Sequence, residues 1–259
     1  MTEFQAVILG ILQGAGEFLP VSSSAHLALA PRVFGWPYQG LAYDVMLHLG
    51  TLLAVLAYFR RDWLKIFSDA VKRPAEKEGR LLWLLAAGSV PAGLAGIFLN
   101  GPAETIFRDP LWIGFNLLFF SVFIYLADRR PAQALEENSF SLKHALLIGL
   151  AQAIALMPGA SRAGMTLMAA LFLGYTRGAA ARLSFLLGTP VILGAALLEA
   201  RKISPEHLDA AFASGLLASF LAGLAVIGFL MAWLKKNTLT PFLVYRVILG
   251  GAILFCFWK

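Results

Sequence analysis

Charged residues are scarce in this sequence. Of its 259 residues, 14% are charged and 59% are hydrophobic. Soluble domains contain about 25% charged residues, so the composition excludes that class and indicates an integral membrane protein. The one cysteine, Cys256, excludes an internal disulfide and a cluster of thiolate metal ligands. No basic residue precedes Arg32, so the N-terminal segment lacks the positive region of a cleavable signal peptide.

Long apolar runs are present in several places. A transmembrane helix needs about 20 predominantly apolar residues. We predict six transmembrane helices, at Leu41–Phe59, Leu81–Leu99, Pro110–Ala127, Leu183–Leu198, Ala210–Leu234 and Thr238–Trp258.

Two further apolar stretches are interrupted by polar residues, proline and glycine. In Gln13–His26 a carboxylate, three hydroxyls and an imidazole fall at membrane depth around Pro20. The second stretch, Ala145–Leu173, breaks at Pro158 and Gly159. Proline interrupts a helix, and broken backbone within a membrane is tolerated only where protein or water surrounds it. The predicted fold is therefore an all-α integral membrane protein with six transmembrane helices and two re-entrant helical hairpins.

The order of one hairpin followed by three spans occurs twice. Pro20–Ser23 aligns with Pro158–Ser161, and other matches recur at the same spacing. Because each copy crosses the membrane three times, an odd number, the second copy enters from the opposite side. The sequence therefore predicts an inverted-topology internal repeat. We place the repeats at about residues 1–128 and 140–259 of a single membrane domain, residues 1–259.

The charge of the loops orients the chain. Six crossings put both termini on one side, and most of the 21 Lys and Arg residues fall on the other: Arg60, Arg61, Lys65, Lys72, Arg73, Lys77, Arg80, Arg129, Arg130, Lys143, Arg177, Arg182, Lys235 and Lys236. The side with the termini has Arg32, Arg108, Arg201, Lys202 and Lys259. Because cytoplasmic loops carry the excess of Lys and Arg, we predict external termini. The longest loop, Arg60–Arg80, is then a charged cytoplasmic connection, and no nucleic-acid partner is expected.

The first hairpin carries groups suited to phosphate chemistry. Ser22, Ser23 and Ser24 precede a predicted half-helix. Their hydroxyls either cap free backbone N–H groups or help the helix N-terminus to bind phosphate. Glu17 lies four residues after Gln13 on one helical face, where the pair would position water or hold a hard divalent cation.

Two histidines are further candidates. His26 follows Ser23 by three residues, close enough for a base to touch a nucleophile; the alternative is a buried histidine with structural partners. Asp44 and His48 are spaced four residues apart on the next span, and they either support the site or line its cavity.

The second hairpin adds a cation to the same arrangement. Ser161 is followed by Arg162, and arginine is the residue suited to bidentate phosphate binding. The alternative for Arg162 is a structural ion pair with Glu17 or Asp44. The other intramembrane arginine, Arg246, is expected to pair across spans rather than to bind substrate.

Spacing excludes two other hydrolase families. The type-2 acid phosphatase pattern requires a histidine and an aspartate at the positions of Met168 and Phe172. An intramembrane serine protease requires a small residue where Arg162 stands. The sequence also contains no Walker loop and no dinucleotide fingerprint.

Taken together, Gln13-x-x-x-Glu17-Phe-Leu-Pro-Val-Ser-Ser and Pro158-Gly-x-Ser-Arg-x-Gly-x-Thr166 closely resemble the undecaprenyl-diphosphate phosphatase family, known as BacA or UppP. The resemblance covers essentially the whole chain. It implies a bacterial inner-membrane enzyme that removes one phosphate from a lipid diphosphate and recycles the carrier for cell-wall synthesis. It also implies bacitracin resistance when the protein is abundant. Gln13 is a permitted variant of the family's first Glu or Gln, and it puts in doubt a metal site built on two carboxylates.

We therefore expect a lipid diphosphate phosphatase with a site open to the external side. The expected catalytic residues are Glu17, Ser23, His26 and Arg162, and the expected phosphate ligands are Gln13, Ser22, Ser24, Gly159, Ser161 and Thr166. The nucleophile stays open between Ser23, His26 and water. The expected cofactor is a divalent cation, Mg²⁺ or Ca²⁺, at Glu17 with Gln13. The expected partners are the polyprenyl diphosphate substrate and membrane lipid, and a homodimer is left open.

A polyprenyl-phosphate transporter or flippase is the alternative function. Inverted repeats with paired broken helices are the architecture of transporters. Phosphate release by the purified protein in detergent would distinguish the two, because a pure transporter releases none.

Overall fold

The described part of the chain consists of helices joined by short connections. The computed structural model describes residues 1–74, 76–104, 108–131, 133–199 and 209–258. Their α-helices are α1 (Glu3–Phe18), α2 (Ser23–Phe34), α3 (Leu41–Tyr58), α4 (Arg60–Lys72), α5 (Lys77–Glu104), α6 (Pro110–Asp128), α7 (Leu142–Ile154), α8 (Arg162–Phe172), α9 (Arg177–Glu199), α10 (Ala210–Trp233) and α11 (Thr240–Phe257). A 3-10 helix, Glu137–Ser139, precedes α7, and the described residues contain no β-strand apart from one isolated bridge. The predicted all-α class is confirmed.

Helices long and apolar enough to cross a membrane number five among the described residues. They lie at Gly79–Phe98, Pro110–Asp128, Arg177–Leu198, Ala210–Trp233 and Thr240–Phe257. These helices indicate a multi-pass membrane protein.

The remaining predicted span, Leu41–Phe59, corresponds to α3, but its described apolar part, Tyr43–Tyr58, is shorter than the other five. A topology of six spans therefore stays a prediction. Arg201, Lys202 and Lys259, which enter the predicted charge asymmetry, lie outside the described residues.

The predicted loop between the first two spans is wrong in one respect. Most of Arg60–Arg80 is helical, forming α4 and the first turn of α5. Trp63, Ile66 and Ala70 of α4 are buried, and their spacing places them on one helix face. Apolar periodicity, rather than the abundance of charge, decides the local structure here.

The two predicted interruptions occur where proline and glycine indicate them. Helix α1 ends at Phe18 and α2 begins at Ser23, while α7 ends at Ile154 and α8 begins at Arg162. The helix breaks are thus confirmed, and the re-entrant course of each pair stays a prediction.

Small residues bring α1 and α3 close to α10. A Cβ added at Gly14 of α1 would lie 2.5 Å from the carbonyl oxygen of Ser219 in α10, so only glycine permits this approach. The Ser219 hydroxyl donates a hydrogen bond to the Leu47 carbonyl of α3 at 2.9 Å. Helix α10 therefore positions two elements that carry polar side chains into the interior, Glu17 on α1 and His48 on α3.

Candidate active site

The two helix breaks touch each other. The backbone N–H of Gly159 donates to the Ser22 hydroxyl at 3.1 Å. Arg246, which has no exposed surface, donates to the carbonyls of Pro20 at 3.2 Å and of Gly159 at 2.9 Å. The same guanidinium donates to the Ser121 hydroxyl at 2.8 Å. Arg246 therefore fastens one loop to the other through backbone oxygens, and its expected role in pairing across elements agrees with this geometry.

Ser22 and Ser161 share an unusual backbone conformation. Their φ angles are +73° and +74°, and the described residues contain no other non-glycine residue at positive φ. Such conformations cost about 1–3 kcal/mol each and cluster at functional sites. Each side chain accepts a hydrogen bond from the backbone N–H three residues on, at Ala25 and Gly164. Both serines therefore act as N-caps, and Ser22, rather than the aligned Ser23, is the conformational counterpart of Ser161.

Glu17 is the centre of the polar contacts. Its side chain is buried, with 4% of its surface exposed. Oxygen Oε2 accepts hydrogen bonds from Ser23 Oγ at 2.8 Å and from Gln13 Nε2 at 3.1 Å. Oxygen Oε1 accepts from Arg162 Nη2 at 2.8 Å and Nε at 3.2 Å. Because Ser23 and Arg162 are the first residues of α2 and α8, two helix N-termini flank one carboxylate.

Arg162 is held in place but retains unused donors. Its Nη1 donates to the Ser184 carbonyl at 2.9 Å, in addition to the two bonds to Glu17. A guanidinium carries five N–H donors, so three bonds leave two for an anion. Thr166, which has no exposed surface, bonds to the Arg162 carbonyl and to the Ser184 hydroxyl, at 2.8 and 2.6 Å. Thr166 therefore lies behind Arg162 and supports it.

His48 joins the site from α3. Its Nε2 lies 3.3 Å from Glu17 Oε2, and its Nδ1 donates to the Asp44 carbonyl at 2.8 Å. The Asp44 carboxylate is itself paired with Arg108 and accepts a hydrogen bond from Tyr38 at 3.5 Å. From the sequence, His48 was expected either to support the site or to line its cavity. The contact with Glu17 favours the supporting role. The spacing of four residues between Asp44 and His48 was the feature of the sequence that pointed to His48. No feature of the neighbouring sequence predicts that Ser184 contacts Arg162.

His26 has partners other than Ser23. Its Nδ1 donates to the Ser22 carbonyl at 2.8 Å, and its Nε2 lies 2.6 Å from the Tyr245 hydroxyl of α11. Both ring nitrogens are thus engaged away from the serine that the sequence pairs with it. The structure connects His26 to the loop backbone and to α11, while Glu17 occupies the position beside Ser23.

The remaining candidates line the loops. The Ser24 hydroxyl lies 3.1 Å from that of Ser22. Gly159 has a φ of +92°, and a Cβ there would lie 2.6 Å from the Ile113 carbonyl, so this position requires glycine. Ser161 caps α8 as described above. These contacts show what shapes the loops, and they leave the phosphate-binding roles as predictions.

A cation would find few free ligands in these residues. Among the described residues, no three His, Cys, Asp or Glu side chains cluster closely enough to hold a metal ion. Both Glu17 oxygens already accept hydrogen bonds, and Arg162 places positive charge beside them. The buried Gln13 Oε1 has no hydrogen-bond partner. The protein groups alone therefore do not form a cation site, and further oxygens would have to come from a bound ligand.

This arrangement suits a tetrahedral anion. Helix N-termini present backbone N–H groups that lack intrahelical acceptors and favour phosphate. Arg162 contributes a partly free guanidinium and Ser23 a hydroxyl already hydrogen-bonded to a carboxylate. A hydroxyl, a carboxylate and a guanidinium thus occupy one place.

This sequence is similar to those of known proteins over nearly its full length. It matches the family described as bacitracin resistance protein BacA over residues 6–252. A protein of Elusimicrobium minutum named undecaprenyl-diphosphatase is 48% identical over 254 residues, 98% of each chain. Proteins of the same name from Pelotomaculum thermopropionicum and Moorella thermoacetica are 44% and 42% identical, over 98% and 100% of this chain and 96% and 99% of theirs.

Proposed function

This chain belongs to the bacitracin resistance protein BacA family, and on this premise we propose that it is an undecaprenyl-diphosphatase. It hydrolyses the lipid diphosphate to undecaprenyl phosphate and inorganic phosphate. The similarity to undecaprenyl-diphosphatases supports the choice of substrate, and the contacts of Glu17 support the chemistry.

One observation carries the chemistry, the hydrogen bond from Ser23 Oγ to Glu17 Oε2 at 2.8 Å. A carboxylate at this distance is placed to take the hydroxyl proton as a general base. A serine becomes an effective nucleophile when an adjacent base removes that proton. This contact favours Ser23 over His26, whose ring nitrogens have other partners.

In the proposed reaction Ser23 Oγ attacks the distal phosphorus while its proton passes to Glu17 Oε2. The bond from that phosphorus to the bridging oxygen breaks, and undecaprenyl phosphate leaves with the electron pair. Water then attacks the phosphoserine; its hydroxyl stays on the released phosphate, and one proton returns to Ser23 Oγ. Glu17 gives its proton to solvent, which restores the carboxylate.

Arg162 and the two helix N-termini stabilise the charge that develops. Phosphoryl transfer depends mainly on positioning and electrostatic stabilisation. Arg162 is fixed by Glu17 and the Ser184 carbonyl, so its two unused donors are preorganised for phosphate oxygens. Preorganised donors need no rearrangement at the moment of reaction.

A divalent cation, Mg²⁺ or Ca²⁺, is proposed to arrive with the substrate. Mg²⁺ commonly takes several of its ligands from substrate phosphates, and Gln13 Oε1 is a protein oxygen without a partner. The bound ion would neutralise phosphate charge and so favour attack on the phosphorus, and it takes no part in the proton transfers described above. Removing divalent ions with a chelator should abolish phosphate release, and re-adding Mg²⁺ or Ca²⁺ should restore it. Full activity after exhaustive chelation would reject the cation, and the roles proposed for Ser23 and Glu17 would still stand.

The membrane arrangement is part of the proposal. Two re-entrant hairpins and six spans in an inverted repeat would place the site near the midplane, open to the external side of the inner membrane. The shared conformation of Ser22 and Ser161 supports a repeat, and the 18 residues of α3 would extend about 27 Å at ~1.5 Å per residue.

The test uses purified protein in detergent and undecaprenyl diphosphate labelled on the distal phosphate. Wild type should release labelled phosphate, and protein denatured during turnover should carry acid-stable label. Ser23→Ala should lose both signals. Ser214→Ala is the matched control and should retain both signals, because among the described residues that hydroxyl bonds only to the nearby Ala211 carbonyl on α10.

The outcomes separate the candidate functions. Absence of phosphate release by folded wild type would reject the phosphatase and leave the transporter. Release without labelled protein would reject Ser23 as the nucleophile and assign attack to water activated by Glu17.

A further inference from the structure

Helix α4 exposes a stripe of apolar side chains. Leu64, Phe67 and Val71 are 73%, 53% and 81% exposed. Their spacing of three and four residues puts them on one side of the helix. The adjoining side of α4 packs into the core, so the exposed stripe is a second apolar surface with no cover in the described part of the chain.

A basic stripe runs beside the apolar one. Arg61, Lys65 and Lys72 are exposed and are spaced by four and seven residues, so they share a helix face. At about 100° per residue this face lies about 100° around α4 from the apolar stripe. None of the three makes a hydrogen bond or ion pair with the side chains that the structure describes.

The acidic residues of α4 lie away from this surface. Asp62 and Asp69 are only partly exposed and fall between the basic stripe and the buried face. Asp62 is neutralised by Arg182, whose Nη2 lies 2.5 Å from its Oδ1. The outward surface of α4 is therefore basic along one side and apolar along the other.

The position of α4 explains both stripes. It follows α3 directly, and α5 begins a membrane-crossing segment at Gly79. With 13 residues, α4 extends about 20 Å at ~1.5 Å per residue, too short and too charged to cross. An amphipathic helix of this kind lies in the membrane interface with its apolar side inserted about 5–10 Å.

We propose that α4 is a binding surface for anionic phospholipid headgroups in the leaflet nearest to it. Leu64, Phe67 and Val71 enter the boundary of the acyl chains. Arg61, Lys65 and Lys72 pair with the headgroup phosphates above them. Basic side chains beside an inserted apolar stripe are complementary to an anionic membrane surface, which selects this partner over zwitterionic lipid.

The depth of α4 can be measured by spin labelling. Single cysteines at positions 64, 67, 71, 61, 65 and 72, in a Cys256→Ser background, carry a nitroxide in vesicles of phosphatidylcholine and phosphatidylglycerol. Labels at 64, 67 and 71 should be accessible to oxygen and shielded from a water-soluble nickel complex, and labels at 61, 65 and 72 should show the reverse. Nickel access at 64, 67 and 71 equal to that at 65 would overturn the proposal and leave the stripe for a soluble partner.

Lipid selectivity is measured by native mass spectrometry of the purified protein with short-chain phosphatidylglycerol or phosphatidylcholine. A basic residue near an anionic surface is worth about 1 kcal/mol, or about fivefold in affinity. The triple variant Arg61→Gln, Lys65→Gln and Lys72→Gln should reduce the preference for phosphatidylglycerol by about 100-fold.

The matched control neutralises three exposed basic residues on other elements, Arg129→Gln, Lys235→Gln and Lys236→Gln. It should retain most of the preference at equal thermal stability. An equal loss in both triple variants, or no loss in the α4 triple, would overturn the assignment of the lipid site to α4.

Discussion

At the scale of single residues, one buried carboxylate organises the site. The Glu17 carboxylate contacts the side chains of Ser23, Gln13, Arg162 and His48. Buried charge is stable only when it is paired and hydrogen-bonded, and these partners come from four different helices or helix starts. Because these residues share one carboxylate, the effects of single substitutions among them should not be additive.

Arg162 should be required for turnover more than for folding. Its loss removes a preorganised donor to the developing phosphate charge, which typically costs about 100- to 1,000-fold in rate. Lysine keeps the charge but cannot reproduce two bonds to Glu17 Oε1 and one to the Ser184 carbonyl, so it should rescue weakly. Phosphate release by Arg162→Ala and Arg162→Lys, at matched thermal stability, checks this. Near-normal turnover of Arg162→Ala would show that the arginine does not clamp phosphate.

His48 should act by holding Glu17 in position. His48→Ala removes one contact to Oε2, so kcat should fall about tenfold or more while KM changes little, since a hydrogen bond to a charged group is worth about 1.5–3 kcal/mol. His48→Gln, which keeps an N–H donor, should recover part of the loss. His144→Ala serves as the control because His144 bonds to Tyr175. Unchanged kcat in His48→Ala would refute the positioning role.

At the scale of elements, the two broken helices are joined through strained and tightly packed loops. Ser22 and Ser161 adopt positive φ, and Arg246 bonds to both loops. The strain is offset by the caps that each serine forms and by the buried guanidinium. Ser23 and Arg162 are therefore held by helix starts, on the two sides of Glu17.

The approach of α1 to α10 should be sensitive to one methyl group. Gly14→Ala would bring a Cβ to 2.5 Å from the Ser219 carbonyl, and overpacking of this kind costs about 1–3 kcal/mol. The thermal midpoint should fall, and so should kcat, because α1 carries Gln13 and Glu17. Gly93→Ala is the matched control in α5, where nothing lies within 4 Å of the added Cβ. Equal stability of the two variants would contradict the close packing.

At the scale of the whole molecule, the distribution of charge predicts the orientation of the chain in the membrane. Basic residues concentrate on the side of α4, and the external side is predicted to carry few. The charge asymmetry that predicts the orientation includes the basic stripe of α4, so the predicted topology and the proposed lipid binding rest on one feature.

Orientation can be tested by cysteine labelling in intact cells. In a Cys256→Ser background, cysteines at positions 3 and 257 should react with a membrane-impermeant thiol reagent, and one at position 72 should react only after permeabilisation. The prediction follows from the excess of Lys and Arg on the cytoplasmic side. Labelling of position 72 from outside intact cells would contradict the predicted topology.

The sequence by itself determined the class of protein, the all-α fold, the helix breaks, and the choice of Glu17, Ser23 and Arg162 as candidate site residues. These conclusions rest on local properties. Proline, glycine and ionisable groups within apolar runs are visible in short segments, and the low content of charged residues is visible in the composition. The resemblance to the family rests on two such segments, each of which is continuous in the chain.

Only the tertiary structure decided which groups meet. His48 reaches Glu17, while His26 contacts Tyr245, a residue far along the chain. Ser22, one residue from the position that alignment selects, is the counterpart of Ser161. Contacts of this kind depend on how helices approach and rotate against one another, and a change of one residue turns a helical side chain by about 100°. Sequence spacing defines the face of one helix, but packing decides what that face meets.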